Sequence, residues 1–387
     1  MIINSLLDTD FYKFTMQQVV FHQFPDVNVE YKFKLRNYPP NTLLKHKDRI
    51  EKEVDNLCKL RFTSSELQYL RSIPFLSDGY IEFLRMFQLN RDNIDVTERD
   101  GALHIDIHGT WLNTILFETP VLAIVSECNS PELTPASMEH LDFKINYIRK
   151  YCKRPFRFID FGTRRRHSRV WQNTMITTFR KYVPECFVGT SNVMFARLHN
   201  IKPIGTMAHE FVQAMQALTR LEDSQKYAFQ CWANEYRGQL GIALSDTLGI
   251  DVFLRDFDLY FCKLFDGVRQ DSGDPYDIAN KVISHYYSLG VDPLTKTLVF
   301  SDGLTIPKAI ELNEYFSDFI NCSFGIGTNL TNNDWFNPPQ IVIKMTRCNG
   351  KPVAKISDSK GKQMCEDTEY LKYLSSIFNI ERENVNE

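Results

Sequence analysis

Seven short apolar stretches recur between Phe156 and Leu330, each followed by a polar turn and then by a helical pattern. They read FRFIDFGTRRRHS, FVGTSNVMFA, KPIGTMAHEF, GIALSDTLG, KLFDGVRQDSGDP, LVFSDGLTIPKAIEL and CSFGIGTNL. Repeated strand–turn–helix units favour a largely parallel sheet with helical crossovers. So many units predict a closed or partly closed β/α barrel instead of a small doubly wound sheet. The turns after the strands would then share one rim, where the active sites of such barrels lie.

Residues 1–130 have a different texture and are predicted to form a separate mixed α/β domain. A helix is expected over FYKFTMQQVVFHQF, stopped by Pro25, and strands over the alternating stretches NVEYKFKLRN and ALHIDIHGTW. The barrel is predicted to span residues 131–345. A hairpin around Asn349–Gly350 would then return residues 346–387 to the first domain.

Composition excludes several classes of protein. With 45 basic and 48 acidic side chains the net charge is -3, which gives no electrostatic basis for binding nucleic acid. No apolar run approaches the roughly 18 to 20 residues of a membrane span, and the acidic N-terminus does not suit a signal peptide. Nine cysteines without a CxxC pair indicate reduced thiols. We therefore expect a cytoplasmic protein that binds neither nucleic acid nor membrane.

The turn in DFGTRRRHS carries Phe161 and then a run of arginines that begins at Arg164. The run is either a solvated helix face or a phosphate clamp, because guanidinium groups match phosphate oxygens. Phe161 is either a core residue or a flat platform at the rim. The turn in RQDSGDP holds Arg269, Asp271 and Asp274. Its carboxylates suit sugar hydroxyls or Mg²⁺, and Asp and Gly also serve turn geometry alone.

Two further turns have the chemistry of phosphate cradles, in which backbone N–H groups and hydroxyls face an anion. Their residues are Gly325, Gly327 and Thr328 in FGIGTNL, and Ser301, Asp302 and Gly303 in FSDGL. Two cradles, an acidic loop and an arginine cluster on one rim predict a ligand that is a phosphorylated and pyrophosphorylated sugar.

His209, in GTMAHEF, is predicted to lie in the first turn of a helix. The positive end of the helix dipole disfavours imidazolium and favours an incoming phosphoryl group, so the position suits a histidine that becomes phosphorylated. The alternative is an ordinary hydrogen-bonded rim residue. Glu210 either orients the ring or, as we favour, simply stabilises the helix start.

A polar strand face carries His104, Asp106 and His108. These residues could suggest a metal site, but a third liganding partner is not evident, and an exposed face of a half-buried strand is the favoured interpretation.

Seven stretches closely resemble the nicotinate phosphoribosyltransferase family: LLDTDFYKFTM, FGTRRRHS, GTSNVMFAR, PIGTMAHEF, RQDSGDP, SDGL and FGIGTNLT. The resemblance implies an irregular β/α barrel of the type II phosphoribosyltransferase kind, an N-terminal mixed α/β domain and a homodimer with shared active sites. It also implies that nicotinate and phosphoribosyl pyrophosphate give nicotinate mononucleotide and pyrophosphate. This is the first step of NAD salvage from nicotinate, coupled to ATP hydrolysis and dependent on Mg²⁺.

The resemblance assigns roles to single residues. His209 would be the phosphohistidine, and Arg269 and Asp271 would hold nicotinate and the sugar. The other implied contacts are Thr206 beside the base, Gly327 and Thr328 on the 5-phosphate, Arg164 on the pyrophosphate, Phe161 on one face of the pyridine, and Tyr12 of the partner subunit on the other. The magnesium ligand is left between Asp271 and Asp274.

One position bears on the choice of base. The related nicotinamide enzyme carries an aspartate after GT, where this chain has Ser191. A serine can donate a hydrogen bond to a carboxylate that an aspartate would repel, which favours nicotinate. The alternatives are a nicotinamide-using phosphoribosyltransferase, another β/α-barrel enzyme that uses Asp271 and Asp274, and a sugar-phosphate-binding regulatory module.

Overall fold

The chain begins with a buried helix, α1 (Phe11–Gln23), which ends before Pro25 as the sequence predicts. The structure is a computed structural model, and it describes residues 1–133, 135–332, 337–359, 363 and 365–380. Within those ranges no helix combines the length and apolar character that a membrane crossing requires. The nine cysteines are all free thiols, as their unpaired spacing predicts.

An antiparallel sheet forms the centre of the N-terminal domain. Its strands are β1 (Asn28–Leu35), β2 (Ile94–Arg99), β3 (Ala102–Thr110), β10 (Ile341–Cys348) and β11 (Lys351–Pro352), in the order β11-β10-β1-β3-β2. The helices around it are α2 (Lys47–Leu57), α3 (Ser64–Arg71), α4 (Asp78–Met86), α5 (Trp111–Thr114) and α6 (Glu118–Asn129). The predicted alternation holds in β3, where Leu103, Ile105 and Ile107 are buried.

The second domain is a barrel built on six parallel strands in the order β5-β4-β9-β8-β7-β6. They are β4 (Phe158–Asp160), β5 (Phe187–Thr190), β6 (Ile242–Leu244), β7 (Gly267–Gln270), β8 (Thr297–Phe300) and β9 (Asn321–Ile326). The helices are α7 (Pro135–Tyr151), α8 (Arg169–Tyr182), α9 (Val193–His199), α10 (His209–Leu218), α11 (Ser224–Tyr236), α12 (Ile250–Asp256), α13 (Leu259–Leu264), α14 (Pro275–Ser288), α15 (Ile306–Phe316) and α16 (Thr328–Thr331).

The barrel is irregular because its two edge strands, β5 and β6, do not pair directly with each other. The extended segment 203–206 fills that place: the amide of Ile204 donates to the carbonyl of Thr190 at 2.9 Å. On its other side the hydroxyl of Thr206 donates to the carbonyl of Ile242 at 3.1 Å. The fold class expected from the sequence is confirmed, an irregular β/α barrel with an N-terminal mixed α/β domain.

The chain crosses between the two domains more than once after the barrel. The return to the first sheet starts at Ile341, where β10 pairs with β1, ahead of the boundary of 346 drawn from the sequence. Asn349 and Gly350, both with positive φ, form the predicted hairpin turn. After β11 the chain leaves that sheet and returns to the barrel, and α17 (Thr368–Phe378) packs on α12 through Leu248, Val252, Leu371, Leu374 and Phe378.

Candidate active site

A cleft of about 1020 Å³ opens on the rim formed by the turns after the barrel strands. Its lining includes nearly all of the candidate residues that the sequence suggested: Tyr12, Phe161, Arg164, Ser191, Thr206, His209, Arg269, Asp271, Ser301, Asp302, Gly303, Gly327 and Thr328. The strand–turn–helix pattern places these turns on one rim because parallel strands all end at the same edge. The structure therefore brings together residues that are separated by more than 300 positions in sequence.

His209 is the first residue of α10 and is almost completely buried. Its Nε2 lies 2.7 Å from Oδ1 of Asp246, a residue that the sequence analysis missed. Burial lowers the pKa of His209 to about 4, although Asp246 opposes the shift. The imidazole is thus neutral near pH 7, as expected from its place in the helix, but burial is the main cause.

Asp246 follows β6 and is fully buried, with both carboxylate oxygens engaged. While Oδ1 faces His209, Oδ2 accepts hydrogen bonds from Ser272 Oγ and Lys355 Nζ, each at 2.7 Å. Burial alone would raise the pKa of Asp246, but His209 and Lys355 hold it well below its usual value. Asp246 is therefore ionised near pH 7, and an ionised partner favours the imidazole tautomer with hydrogen on Nε2, which leaves the lone pair on Nδ1.

Arg269, at the end of β7, is held in place by two neighbours. Its Nε donates to Ser301 Oγ at 2.8 Å and its Nη2 to Asp271 Oδ1 at 2.9 Å, while Ser301 Oγ lies 2.6 Å from the same carboxylate oxygen. The guanidinium also lies 5.5 Å from the centre of the Phe161 ring. Burial would raise the pKa of Asp271, but Arg269 together with His209 and Lys355 outweighs it, and the pKa is lowered. A planar cation is thereby fixed beside an aromatic platform.

Phe161 and Tyr12 provide two aromatic surfaces in the cleft. A Cβ on Gly325 would lie 2.3 Å from the Phe161 ring, so this glycine makes room for the platform. Gly325 is not among the residues that line the cleft, and its expected place in a phosphate cradle stays a prediction. Tyr12 comes from the same chain, with its backbone N only 2.9 Å from where a Cβ on Gly205 would lie. The expectation that the partner subunit supplies this ring to a shared site stays a prediction.

Behind Tyr12, a buried group of charges surrounds Glu118, which the sequence analysis also missed. Lys13 Nζ pairs with Glu118 Oε2 at 2.5 Å, and Arg164 Nη1 and Lys344 Nζ lie 3.5 and 4.0 Å from Oε1. The three cations, with Lys13 the strongest, hold the pKa of Glu118 down to about 2 against the effect of burial. Burial lowers the pKa of Lys344 to about 8. Arg164 and Lys344 also line the main cleft, so they present cations to an anionic ligand.

The arginine run is not a solvated helix face. Arg166 is fully buried and pairs with Asp8 at 2.6 Å and Glu127 at 2.7 Å, while Arg165 donates to the carbonyl of Ile341 at 3.0 Å. Arg166 therefore ties the barrel to the N-terminal domain, and Arg164 lines the cleft.

Comparison with known proteins agrees with this geometry. The profile of the nicotinate phosphoribosyltransferase (NAPRTase) family matches residues 156–382, and that of its N-terminal domain matches residues 7–126. The chain belongs to the nicotinate phosphoribosyltransferase family. Members from Cupriavidus necator and Burkholderia mallei are 53% and 52% identical to it. The two alignments span 98% of this chain and 99% and 98% of the respective relatives.

Solved structures give the same family. The crystal structure of nicotinate phosphoribosyltransferase from Vibrio cholerae has a TM-score of 0.93 and 41% identity, covering 98% of this chain and 94% of that one. The enzyme from Porphyromonas gingivalis has a TM-score of 0.91 and 32% identity, covering 98% of this chain and 100% of that one.

Asp274 and Glu210, which the sequence suggested as site residues, have structural roles in this chain. The exposed carboxylate of Asp274 caps α14, accepting from the amides of Tyr276 and Asp277 at 2.9 and 3.0 Å, and it does not line the cleft. Its turn-forming role is therefore the correct one. Glu210 accepts hydrogen bonds from Lys13, Tyr31 and Trp111, so it anchors α10 to the N-terminal domain.

Metal-binding geometry occurs at one group of three residues in the described ranges. His209, Asp246 and Asp271 place ligand atoms within 4.8 Å of one another. The His104 and His108 strand face forms no such group within those ranges, and Asp106 pairs there with Arg99. The pairing of Asp106 with Arg99 agrees with the favoured interpretation of a polar strand face.

Proposed function

We propose that this chain joins nicotinate to phosphoribosyl pyrophosphate, giving nicotinate mononucleotide and pyrophosphate as the entry to NAD salvage from nicotinate. The observation that carries the proposal is a single cleft in which an aromatic pair and a fixed arginine lie beside anion-binding turns and a buried neutral histidine. The names of the relatives, all nicotinate phosphoribosyltransferases, support it.

The base fits between Phe161 and Tyr12, near Thr206. Arg269 lies at the edge of the Phe161 ring, where it can meet the carboxylate of nicotinate. The 5-phosphate of the sugar fits against the backbone of Gly327 and the hydroxyl of Thr328, with Ser301, Asp302 and Gly303 on the neighbouring turn. Both cradles then hold one phosphorylated sugar, with its reacting carbon directed towards the base.

Glycosyl transfer requires little from a general base. The nitrogen of nicotinate carries its own lone pair and forms the new bond to C1 of the ribose as the C1–oxygen bond to pyrophosphate breaks. Arg164 and Lys344 stabilise the negative charge that develops on the departing pyrophosphate. Holding base and sugar in line supplies the rest of the acceleration.

Mg²⁺ is expected to be held by one or two carboxylates together with phosphate oxygens of the substrate. Asp271 fits this role, since its carboxylate lines the cleft and keeps its charge despite burial. Asp274 does not fit, since its carboxylate caps α14. When bound, Mg²⁺ would offset charge on the pyrophosphate.

ATP hydrolysis is coupled through His209. Nδ1 attacks the terminal phosphorus of ATP, the bond to ADP oxygen breaks, and ADP departs as phosphohistidine forms. Asp246 keeps the hydrogen on Nε2 and compensates the positive charge that develops on the ring. Water later cleaves the nitrogen–phosphorus bond and releases phosphate. A phosphorylated His209 would hold the cleft in its tight-binding form, so that ATP hydrolysis drives net synthesis. A homodimer with shared active sites, to which the partner subunit contributes Tyr12, remains a prediction.

The test is product formation from purified enzyme with nicotinate, nicotinamide or quinolinate as the base. We expect pyrophosphate release that requires both nicotinate and phosphoribosyl pyrophosphate, with nicotinamide much slower. Equal or faster use of nicotinamide would support the nicotinamide enzyme instead. Binding of the sugar phosphate without turnover would support a regulatory module, and turnover that needs neither substrate would indicate a different barrel enzyme.

A further inference from the structure

The segment Lys355–Ser359, which we term the strap, follows β11 and lies across two loops of the barrel. On the loop after β6, the amide of Ile356 donates to the carbonyl of Thr247 at 2.9 Å. On the loop after β7, the amide of Gly273 donates to Ser359 Oγ at 2.9 Å and the amide of Asp358 to Ser272 Oγ at 3.1 Å. These loops carry Asp246 and Asp271, so the strap joins the two carboxylates that face His209.

Two glycines make this docking possible. A Cβ on Gly273 would lie 3.0 Å from Asp358 Cβ, and a Cβ on Gly249 would lie 3.2 Å from Asp358 Oδ1. Both glycines have positive φ, a conformation that glycine adopts at little cost. Asp358 Oδ1 also accepts from the amide of Ile250 at 2.9 Å. The strap is therefore closely fitted to the barrel, not loosely laid over it.

Lys355 is the residue of the strap that reaches the site. Its side chain is buried, lines the main cleft and places Nζ 2.7 Å from Asp246 Oδ2. The other oxygen of the same carboxylate lies 2.7 Å from His209 Nε2. One carboxylate thus connects a lysine of the C-terminal segment to the histidine of α10.

We propose that Lys355 is a positioning residue for His209, acting through Asp246, and that the strap thereby controls phosphorylation of the histidine. The inference rests on the proposed ATP coupling. Lys355 and Ser272 together fix Oδ2, which leaves Oδ1 directed at the ring. Without Lys355, a buried carboxylate loses its compensating cation, and a carboxylate in that state no longer holds the imidazole in one orientation. Removing a residue that orients a functional side chain, without itself touching the substrate, commonly lowers activity by about 10- to 100-fold.

A structural role for Lys355 makes different predictions from a positioning role. If Lys355 only anchored the strap, loss of another strap contact would have a similar effect, and the charge on residue 355 would be unimportant. If it positions His209, the charge matters and the effect disappears once Asp246 has lost its own charge. The strap offers a matched control in Ser359, whose hydroxyl holds Gly273 without contacting Asp246.

The experiment measures the initial rate at which γ-labelled ATP places acid-labile phosphate on the full-length enzyme. Lys355→Met is expected to be at least about 10-fold slower than the wild type, Lys355→Arg faster than Lys355→Met, and Ser359→Ala close to the wild type. In an Asp246→Asn background, Lys355→Met is expected to add no further loss, because the two residues act in series.

Each contrary result has a definite meaning. Equal rates for Lys355→Met and the wild type, equal rates for Lys355→Met and Lys355→Arg, or an equal loss in Ser359→Ala would overturn the inference. Effects of Lys355→Met and Asp246→Asn that multiply would overturn it too. Failure of the proposed ATP coupling looks different: the wild-type enzyme itself would then carry no acid-labile phosphate, and this inference would fall with it.

Discussion

The hydroxyl of Ser191 lies 2.6 Å from Oδ1 of Asp10, and both residues line the cleft. From the sequence we expect this hydroxyl to donate to the carboxylate of nicotinate, but in the structure it donates to Asp10. Burial raises the pKa of Asp10, with Arg164 opposing the shift. The carboxylate of Asp10 is thus tolerated here, because it lies beside the hydroxyl of Ser191 and near the positive charge of Arg164. A second carboxylate at this place would be repelled.

Substitution at position 191 tests that arrangement. In Ser191→Asp, two carboxylates would meet at hydrogen-bond distance in a buried site that also receives an anionic base. We expect kcat/KM for nicotinate to fall by at least about 10-fold, since repulsion of a like charge costs more than about 1.4 kcal/mol. Ser191→Ala, which removes only the hydroxyl, should lose less. Unchanged kcat/KM in Ser191→Asp would refute the argument.

Lys344 is expected to set an alkaline limit on activity. Burial lowers the pKa of this lysine to about 8, so its charge is present below pH 8 and disappears above it. Because we place the cation on the pyrophosphate, kcat/KM for phosphoribosyl pyrophosphate should fall above pH 8. Lys344→Arg retains its proton at every accessible pH, and its profile should stay flat through this range. An identical alkaline limb in both enzymes would mean that another group is titrating.

Gly325→Ala tests the aromatic platform without altering any group that touches the ligand. Its new Cβ would lie 2.3 Å from the Phe161 ring, which must then move. We expect kcat/KM for nicotinate to fall by about 10- to 100-fold, the range for a displacement near 1 Å. Gly79→Ala is the control, since a Cβ there meets nothing within 4 Å. Normal kinetics in Gly325→Ala would show that Phe161 does not hold the base.

Asp358 makes stability depend on pH. Burial raises the pKa of this carboxyl group from 3.8 to about 6. Its favourable contribution to the free energy of unfolding is therefore complete below pH 3.8 and is lost as the pH rises through 6. Asp358→Asn keeps the acceptor for Ile250 and removes the titration. We expect the variant to be more stable than the wild type at pH 8, by about 3 kcal/mol, and the difference to shrink at pH 5. Urea unfolding at both pH values measures it, and a constant difference would contradict the assignment.

Local patterns in the sequence were sufficient for single elements. The alternation in β3, the end of α1 before Pro25 and the hairpin at Asn349–Gly350 each depend on neighbours in the chain, so they are readable without a structure. Most of the rim residues were also found, because a polar turn after an apolar strand has a recognisable composition and the strands of a parallel barrel end together. Tyr12, Ser191 and Thr206 were identified only through the family resemblance.

The missed residues share a different property, which is that their function depends on partners distant in sequence. Asp246 stands in SDTLG and has the composition of an ordinary turn, and nothing local pairs it with Lys355, 109 positions away. Glu118 and Lys344 resemble common charges on a helix and a strand until the fold buries them together. Of these residues, only Asp246 could have been found from the sequence, because its carboxylate follows a buried strand just as that of Asp271 does.

The most direct test of the account is to incubate the enzyme with γ-labelled ATP and map the acid-labile phosphate on the chain. We predict that the label lies on His209, and that His209→Asn carries none and no longer responds to ATP while its nicotinate site remains intact. Label on any other residue, or full stimulation by ATP in His209→Asn, would contradict the account.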